Sequence, residues 1–366
     1  PGFAAMAEAI ERVASEGRDG LGTAIVFAAG NGRRSGDDVN YHNLQNSQFT
    51  IAVGAVDAAG RAADFSTPGA AVLLSAPGVS VRTTDRVGAD GYVPGDLVTI
   101  SGTSFAAPAV SGAVARMQAA NPALGYRDVQ EILALTAAAP DAGAAGWQEN
   151  GATTWNGGGL TFHHRVGFGV LDADAAVRLS ETWTLQSTAA NRLTASLDAG
   201  LGTPRAIPDG GRAASHAAVQ FDIGAEIDID RVLVDLDIDH ARRGDLVVRL
   251  ISPHGTESVL IARPGLDPAA ASGPGDTSAG LRFETSSVAH LGETAAGLWE
   301  LRVEDWNAGV AGTLGGARLT LVGDAGTDDD LHVFTDDFGA ATGAALLDDA
   351  VGRETLNLAA LSGPAD

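Results

Sequence analysis

Two short segments of this 366-residue chain carry residue types in an order that can do chemistry. The first is Gly102-Thr103-Ser104-Phe105-Ala106-Ala107-Pro108, and the second, upstream of it, is Gly30-Asn31-Gly32. A turn of small residues running directly into a helix places Ser104 at the helix N-terminus. Unpaired backbone N–H groups and the positive end of the helix dipole meet there, and both favour a developing oxyanion. Pro108 is read as lying in the first helical turn, where its missing N–H removes little. Serine is also a favoured helix cap, so Gly-Thr-Ser alone carries two readings. Asn31 between two glycines likewise reads either as a left-handed turn residue or as an amide donor aimed at a developing charge.

The elements that must position these residues follow from hydrophobic spacing. Residues 1–180 alternate helical and strand signals. Phe3, Met6, Ile10 and Val13 recur at helical spacing, and Arg18-Asp19-Gly20 closes that helix. Residues 23–29 form a short apolar run that delivers the Gly30-Asn31-Gly32 turn, and 49–56 and 71–76 are further strands. Residues 105–120 read as a helix, with shorter helices over 126–137 and 172–179, so the segment is a mostly parallel α/β sheet. From residue 181 to 323 the period changes to two. Val232, Val234, Leu236 and Ile238 share one face, Asp235, Asp237 and Asp239 the other, and short strands separated by Gly, Pro or Asp indicate an all-β sandwich. Residues 324–366 are a separate acidic piece that reads as the beginning of something longer.

Composition narrows the setting. Acidic residues (46) outnumber basic ones (23), giving a net charge of −23. No lysine occurs, so every basic side chain other than histidine is arginine. Such a field disfavours nucleic acid and anionic membranes and suits divalent cations. No apolar run reaches the roughly 18 residues of a membrane span. The absence of cysteine excludes thiol catalysis, Cys-ligated metals and disulfides, and leaves the compartment open. A start at Pro1, with neither initiator Met nor signal peptide, reads as a fragment or a processed product.

Gly-Thr-Ser-Phe-Ala-Ala-Pro resembles the nucleophile motif of the subtilase serine proteases, and Phe27-Ala28-Ala29-Gly30-Asn31-Gly32 resembles their oxyanion strand and turn. The resemblance implies that Ser104 is the nucleophile, that the Asn31 amide and the Ser104 N–H hold the oxyanion, and that Ala29, Gly30 and Thr103 contact substrate. Gly167-Phe168-Gly169-Val170-Leu171-Asp172-Ala173, after His163-His164-Arg165, is similar to the end of the catalytic domain in the kexin- and furin-like branch. Residues 240–246, Ser252-Pro253-His254-Gly255-Thr256, Gly297-Leu298-Trp299 with Asp305, and Gly312-Thr313-Leu314 resemble the P-domain (homo B domain), a jelly-roll sandwich. The implied architecture is a subtilisin-like α/β domain, incomplete at its N-terminus, followed by that sandwich.

The departures from the family pattern are equally specific. Subtilases place the catalytic Asp and His before the asparagine, yet no histidine precedes His42 here. The base and its orienting carboxylate are therefore expected upstream of Pro1, on a companion N-terminal segment, and Ser104 without a base is a weak nucleophile. A nucleophile-first order using His163 or His164 would need Gly at Ala106, so these two read as loop or packing residues. His42 falls where the furin-like branch has an acid that reads basic side chains. Asp37 aligns with a calcium carboxylate and Thr67 with another, so a dibasic preference is not implied. Asp37 and Asp38 read either as calcium ligands or as a charged surface loop. Asp235, Asp237, Asp239 and Asp245 form a second acidic group, open to a calcium reading or to that of a solvated strand face, and Asp305 reads as structural. Asp330-Leu331-His332-Val333-Phe334, with Phe338 and Glu354-Thr355-Leu356-Asn357, resembles the start of a serralysin-type calcium-binding repeat region, without its glycine-rich nonapeptide.

Two functions remain open at this stage. One is an extracellular bacterial endopeptidase, calcium-stabilised and possessed of a C-terminal export signal, that acts on polypeptides. The other is a noncatalytic binding or scaffold protein on a decayed subtilase fold.

Overall fold

The computed structural model of the chain describes residues 2–140, 143–270, 273, 275–338 and 352–363. Helix α1 (Gly2–Glu16) leads into three parallel strands, β1 (Ile25–Ala28), β2 (Thr50–Val56) and β3 (Val72–Pro77), in the order β1-β2-β3. The Thr50–Val56 run is buried throughout, as suits a parallel strand covered on both faces. A hairpin of β4 (Val81–Thr84) and β5 (Leu97–Ile100) precedes α2 (Thr103–Ala120) and α3 (Tyr126–Leu135). The small ladder β6 (Gln148–Glu149) with β7 (Thr161–Phe162) follows, then α4 (Ala173–Thr182), whose N-cap Asp172 accepts from the amides of Asp174 and Ala175. Helix α2 buries Ala106, Val110, Val114 and Met117 in a core shared with Val53, Leu74, Ile132 and Phe168.

Two local expectations change. Helix α2 starts at Thr103, so Ser104 lies in its first turn and Pro108 in the second. The N–H that Pro108 lacks is the one that would have bonded the Ser104 carbonyl. The apolar stripe of α1 is largely uncovered: Ile10 and Ala14 pack with Phe49 and Tyr126, whereas Phe3, Met6 and Val13 are exposed. Helical spacing reports that a stripe exists, and only a neighbouring element can bury it.

The sandwich contains β8 (Leu193–Asp198), β9 (Arg205–Ile207), β10 (Ala217–Ile223), β11 (Ile227–His240), β12 (Leu246–Ile251), β13 (Glu257–Ala262), β14 (Leu281–Ser287), β15 (Gly297–Asp305) and β16 (Gly312–Ala325). One sheet runs β10-β15-β12-β13 and the other β14-β11-β16-β8, with β9 adding to β16. Their inner faces close over Phe221, Val234, Leu236, Trp299, Leu301 and Leu319. Strand β11 alternates as its sequence does, with Asp235, Asp237 and Asp239 exposed. Asp245 does not join them. A turn at Arg243–Asp245 sends it into the interior, fully buried, where Arg242 Nε lies 2.7 Å away and Asn307 donates at 2.7 Å.

The two units share a hydrogen-bonded seam. Asn46 donates to the Glu284 carbonyl at 2.8 Å and accepts from the Ser286 amide at 2.7 Å, and Asn150 donates to the carbonyls of Ala289 and Leu291. The buried Arg231 reaches the carbonyls of Ser47 and Ala71. The acidic tail folds back as a parallel pair, β17 (Leu331–Val333) with β18 (Thr355–Asn357). Val333 and Ala360 enter the first core, the Val333 amide donates to the Thr154 carbonyl at 2.9 Å, and Arg178 bonds the carbonyls of Ala359 and Ala360. Among the described residues, no helix is long and apolar enough to cross a membrane.

Candidate active site

Strand β1 ends at Ala28, and the next three residues turn outward to present Asn31. Gly30 takes φ +107°, a conformation that side-chain-bearing residues rarely adopt. Two threonines clamp the turn. Thr67 Oγ1 accepts from the Gly32 amide at 2.9 Å, and the Thr67 amide donates to the Gly30 carbonyl at 3.0 Å. Thr103 Oγ1 accepts from the Gly30 amide at 3.2 Å and donates to Asn31 Oδ1 at 3.1 Å, while the Thr103 amide donates to the same Oδ1 at 3.0 Å. A backbone N–H can only donate, so the atom facing it is the oxygen of the side-chain amide. Asn31 Nδ2 is thereby fixed as the outward donor and lies beside Gly102, two residues before Ser104. Ser104 follows Thr103 in the first turn of α2, among the amides that have no intrahelical acceptor. Both Asn31 and Ser104 are exposed. A carbonyl oxygen becoming negative at this spot meets an amide N–H₂ and a helix-terminal N–H.

The three residues expected to contact substrate sit beneath this pair. Ala29 is fully buried, with its amide donating to the Val53 carbonyl at 2.9 Å. Gly30 spends both backbone groups on the threonines, and the Thr103 side chain is buried with its hydroxyl engaged twice. Thr103 thus holds the Asn31 turn through both its amide and its hydroxyl. The clamp by Thr67 was also missed, and only the turn-forming Thr67-Pro68-Gly69 hinted at it.

Asp37 braces the turn from behind. Its carboxylate lies 2.6 Å from where a Cβ on Gly32 would sit, accepts from the Asp38 amide at 3.0 Å, and meets His42 Nε2 at 2.8 Å. That hydrogen bond holds the His42 pKa above its usual value. Asp38 is buried and caps a short turn through the Asn40 amide at 2.9 Å, and burial pushes its carboxyl up to about 8. Through their Oδ1 atoms Asp37 and Asp38 bond His42 and backbone amides, and each carboxylate has a second oxygen of the kind a hard cation takes. His164 is committed to the sandwich: its Nε2 accepts from the Val259 amide at 2.8 Å, and burial pushes its pKa down to about 3. His163 packs on Trp147, ring centroids 5.3 Å apart, and its Nδ1 accepts from the Arg165 amide.

Residues 1–169 match the subtilase family, and residues 229–321 match the proprotein convertase P-domain. The chain is a subtilase domain joined to a P-domain. Proprotein convertase subtilisin/kexin type 6 of Rattus norvegicus is 33% identical over 310 residues, covering 81% of this chain and 30% of that protein. Kexin of Saccharomyces cerevisiae is 30% identical over 334 residues, covering 87% of this chain and 37% of its own length. The chain thus spans about a third of the length of these curated relatives. The serine protease of Aeromonas sobria shares the fold, with a TM-score of 0.74 at 23% identity over 87% of this chain and 68% of that one.

The P-domain holds titratable groups that serve the seam rather than catalysis. Ser258, His290 and Glu293 are fully buried, with His290 Nε2 3.2 Å from Ser258 Oγ and Nδ1 3.4 Å from Glu293 Oε2. The order imitates a nucleophile–base–acid relay, but no substrate reaches a fully buried hydroxyl. Burial alone would raise the Glu293 pKa. The hydrogen bond and charge of His290, with Thr256 and the Gly151 amide of the subtilase domain, bring it down to about 2. Asp305 is likewise internal, paired with His240 at 3.2 Å and accepting from the Asn307 amide.

Proposed function

We propose that this chain supplies the nucleophile and oxyanion hole of a secreted, kexin-like serine endopeptidase that cleaves polypeptides by acyl transfer. The observation that carries the reading is the pair of hydrogen bonds from Thr103 to Asn31 Oδ1, which leaves Nδ2 as the free donor, beside Gly102 at the turn into Ser104. Ser104 Oγ attacks the scissile carbonyl, and its oxygen collects negative charge against Asn31 Nδ2 and the Ser104 N–H. Collapse expels the leaving amine, and water then hydrolyses the acyl-enzyme. The proton from Ser104 needs a base. His42 is bonded to Asp37 and His164 to the sandwich, so the reading assigns the base and its orienting carboxylate to a segment outside this sequence. The half-exposed β1 and the uncovered stripe of α1 suit an additional partner element on that side.

Fluorophosphonate labelling with peptide mapping tests this on protein from its native source. The expected result is a rapid adduct on Ser104, absent in Ser104→Ala. Asn31→Ala should slow proteolysis by about 10²–10³-fold, a magnitude taken from a subtilisin's oxyanion asparagine. A native chain that begins at Pro1, has no companion polypeptide and does not label would overturn the reading and leave a noncatalytic binding protein.

A further inference from the structure

The tail brings together three side chains that the proposed peptidase chemistry does not use. Parallel pairing of β17 with β18 sets His332 opposite Leu356 and Leu331 opposite Thr355, so Glu354 arrives beside the start of β17. Asp330, His332 and Glu354 each place one candidate ligand atom within 4.8 Å of the other two. The His332 side chain is only 4% exposed, and its Nε2 lies 2.7 Å from Glu354 Oε2. Its Nδ1 is buried with no hydrogen-bond partner. Nε2 is the ring nitrogen that faces Glu354, and a buried imidazole beside two carboxylates offers the mixed nitrogen and oxygen donors a metal ion takes. The surroundings are negative as well. Burial, then the charges of Asp330, Asp324, Asp230 and Glu226, push the neighbouring Asp228 up to about 6.

We propose that Asp330, His332 and Glu354 form a binding site for a divalent transition-metal ion of the zinc class, which fastens the tail across the subtilase domain. One imidazole nitrogen and two carboxylate oxygens are three of the four ligands zinc takes, and water completes the set. The nitrogen ligand separates this site from a calcium site, which is built from oxygen alone. The strands it joins are three residues each, too short to hold by backbone bonds alone. An ion bridging Asp330 and Glu354 closes the long connection between them. Because Val333 inserts into the subtilase core, the ion also anchors the tail there.

The test is titration of the untagged, EDTA-stripped full chain with ZnCl₂, followed by calorimetry and by hydrogen exchange of the 331–333 and 355–357 amides. One zinc equivalent should bind and slow exchange at those amides. Glu354→Gln and His332→Gln should each weaken binding at least tenfold. Glu354 is exposed, so its variant keeps the test decisive if His332→Gln fails to fold. No zinc binding by the wild-type chain, unchanged affinity in Glu354→Gln, or calcium displacing zinc from these residues would each overturn the proposal. None of these readouts depends on peptidase activity.

Discussion

The subtilase domain has two contrasting sides. Towards the P-domain it is closely bonded: Asn46, Asn150, Arg127 and Arg231 make hydrogen bonds across the seam. Towards α1 and the edge strand β1 it is open, with Phe3 64% exposed and every residue of β1 half-buried. Ser104 and Asn31 are also exposed. The closed side is where removing one partner orphans several groups, whereas Ser104 and Asn31 stand on the surface, where another molecule can approach.

The largest expected effect breaks the closed side. Arg127 is buried and bonds Asp230 at 2.5 Å, Asp324 at 2.6 Å, Asn191 and the Thr188 carbonyl. Arg127→Leu should cost about 3–5 kcal/mol in denaturant unfolding at pH 8. The cost should shrink at pH 5, because Asp230, already pushed up to about 6 by burial, can then take a proton. A loss under 1 kcal/mol at pH 8 would mean the seam does not bind the two units into one cooperative structure.

On the open side, Thr103→Val leaves the Gly30 amide without its acceptor and removes one of two bonds to Asn31. Stability should fall by about 1–3 kcal/mol. In the active native protein kcat should drop roughly tenfold with KM little changed, since only the charged transition state feels the misaligned amide. An equal loss in KM would instead make Thr103 a substrate contact.

Asp228 sharpens the comparison through pH. Its folded pKa, about 6, lies above the ordinary carboxylate value, so the folded state holds the extra proton between about pH 4 and 6, and stability falls as pH rises through that window. Asp228→Asn should gain about 1 kcal/mol at pH 8, a figure reduced for its partial exposure, and nothing at pH 4. The smallest effect belongs to the sandwich surface. Asp237 and Arg282 pair at 2.6 Å but both are exposed, so Asp237→Asn should change stability by less than about 0.5 kcal/mol in the same unfolding assay.

What could be read from sequence follows the same division. Local patterns sufficed for the turn into α2, the buried run of β2 and the alternation of β11, because each depends on neighbours within a few residues. The bond from Thr103 to Asn31 was not legible, because its partner lies far off in the chain. Asp245 looked like one more carboxylate after Asp235, Asp237 and Asp239 until the turn at Arg243 sent it inside. The grouping of Asp330 and His332 with Glu354 depends on a parallel register that no short-range signal encodes.

The bond between Thr103 and Asn31 also bears on how the site tolerates motion. Thr103 and Ser104 are consecutive, so the residue that orients the Asn31 amide is joined directly to the Ser104 N–H. If the start of α2 shifts, the two donors travel as a rigid pair and their mutual spacing survives. On the proposed reading, misalignment would appear as a lost approach to the base, with the spacing of the two donors kept. A boronic acid or aldehyde that mimics the tetrahedral state should therefore keep part of its affinity even where turnover has vanished, because no ordering of those two groups is left to be done on binding.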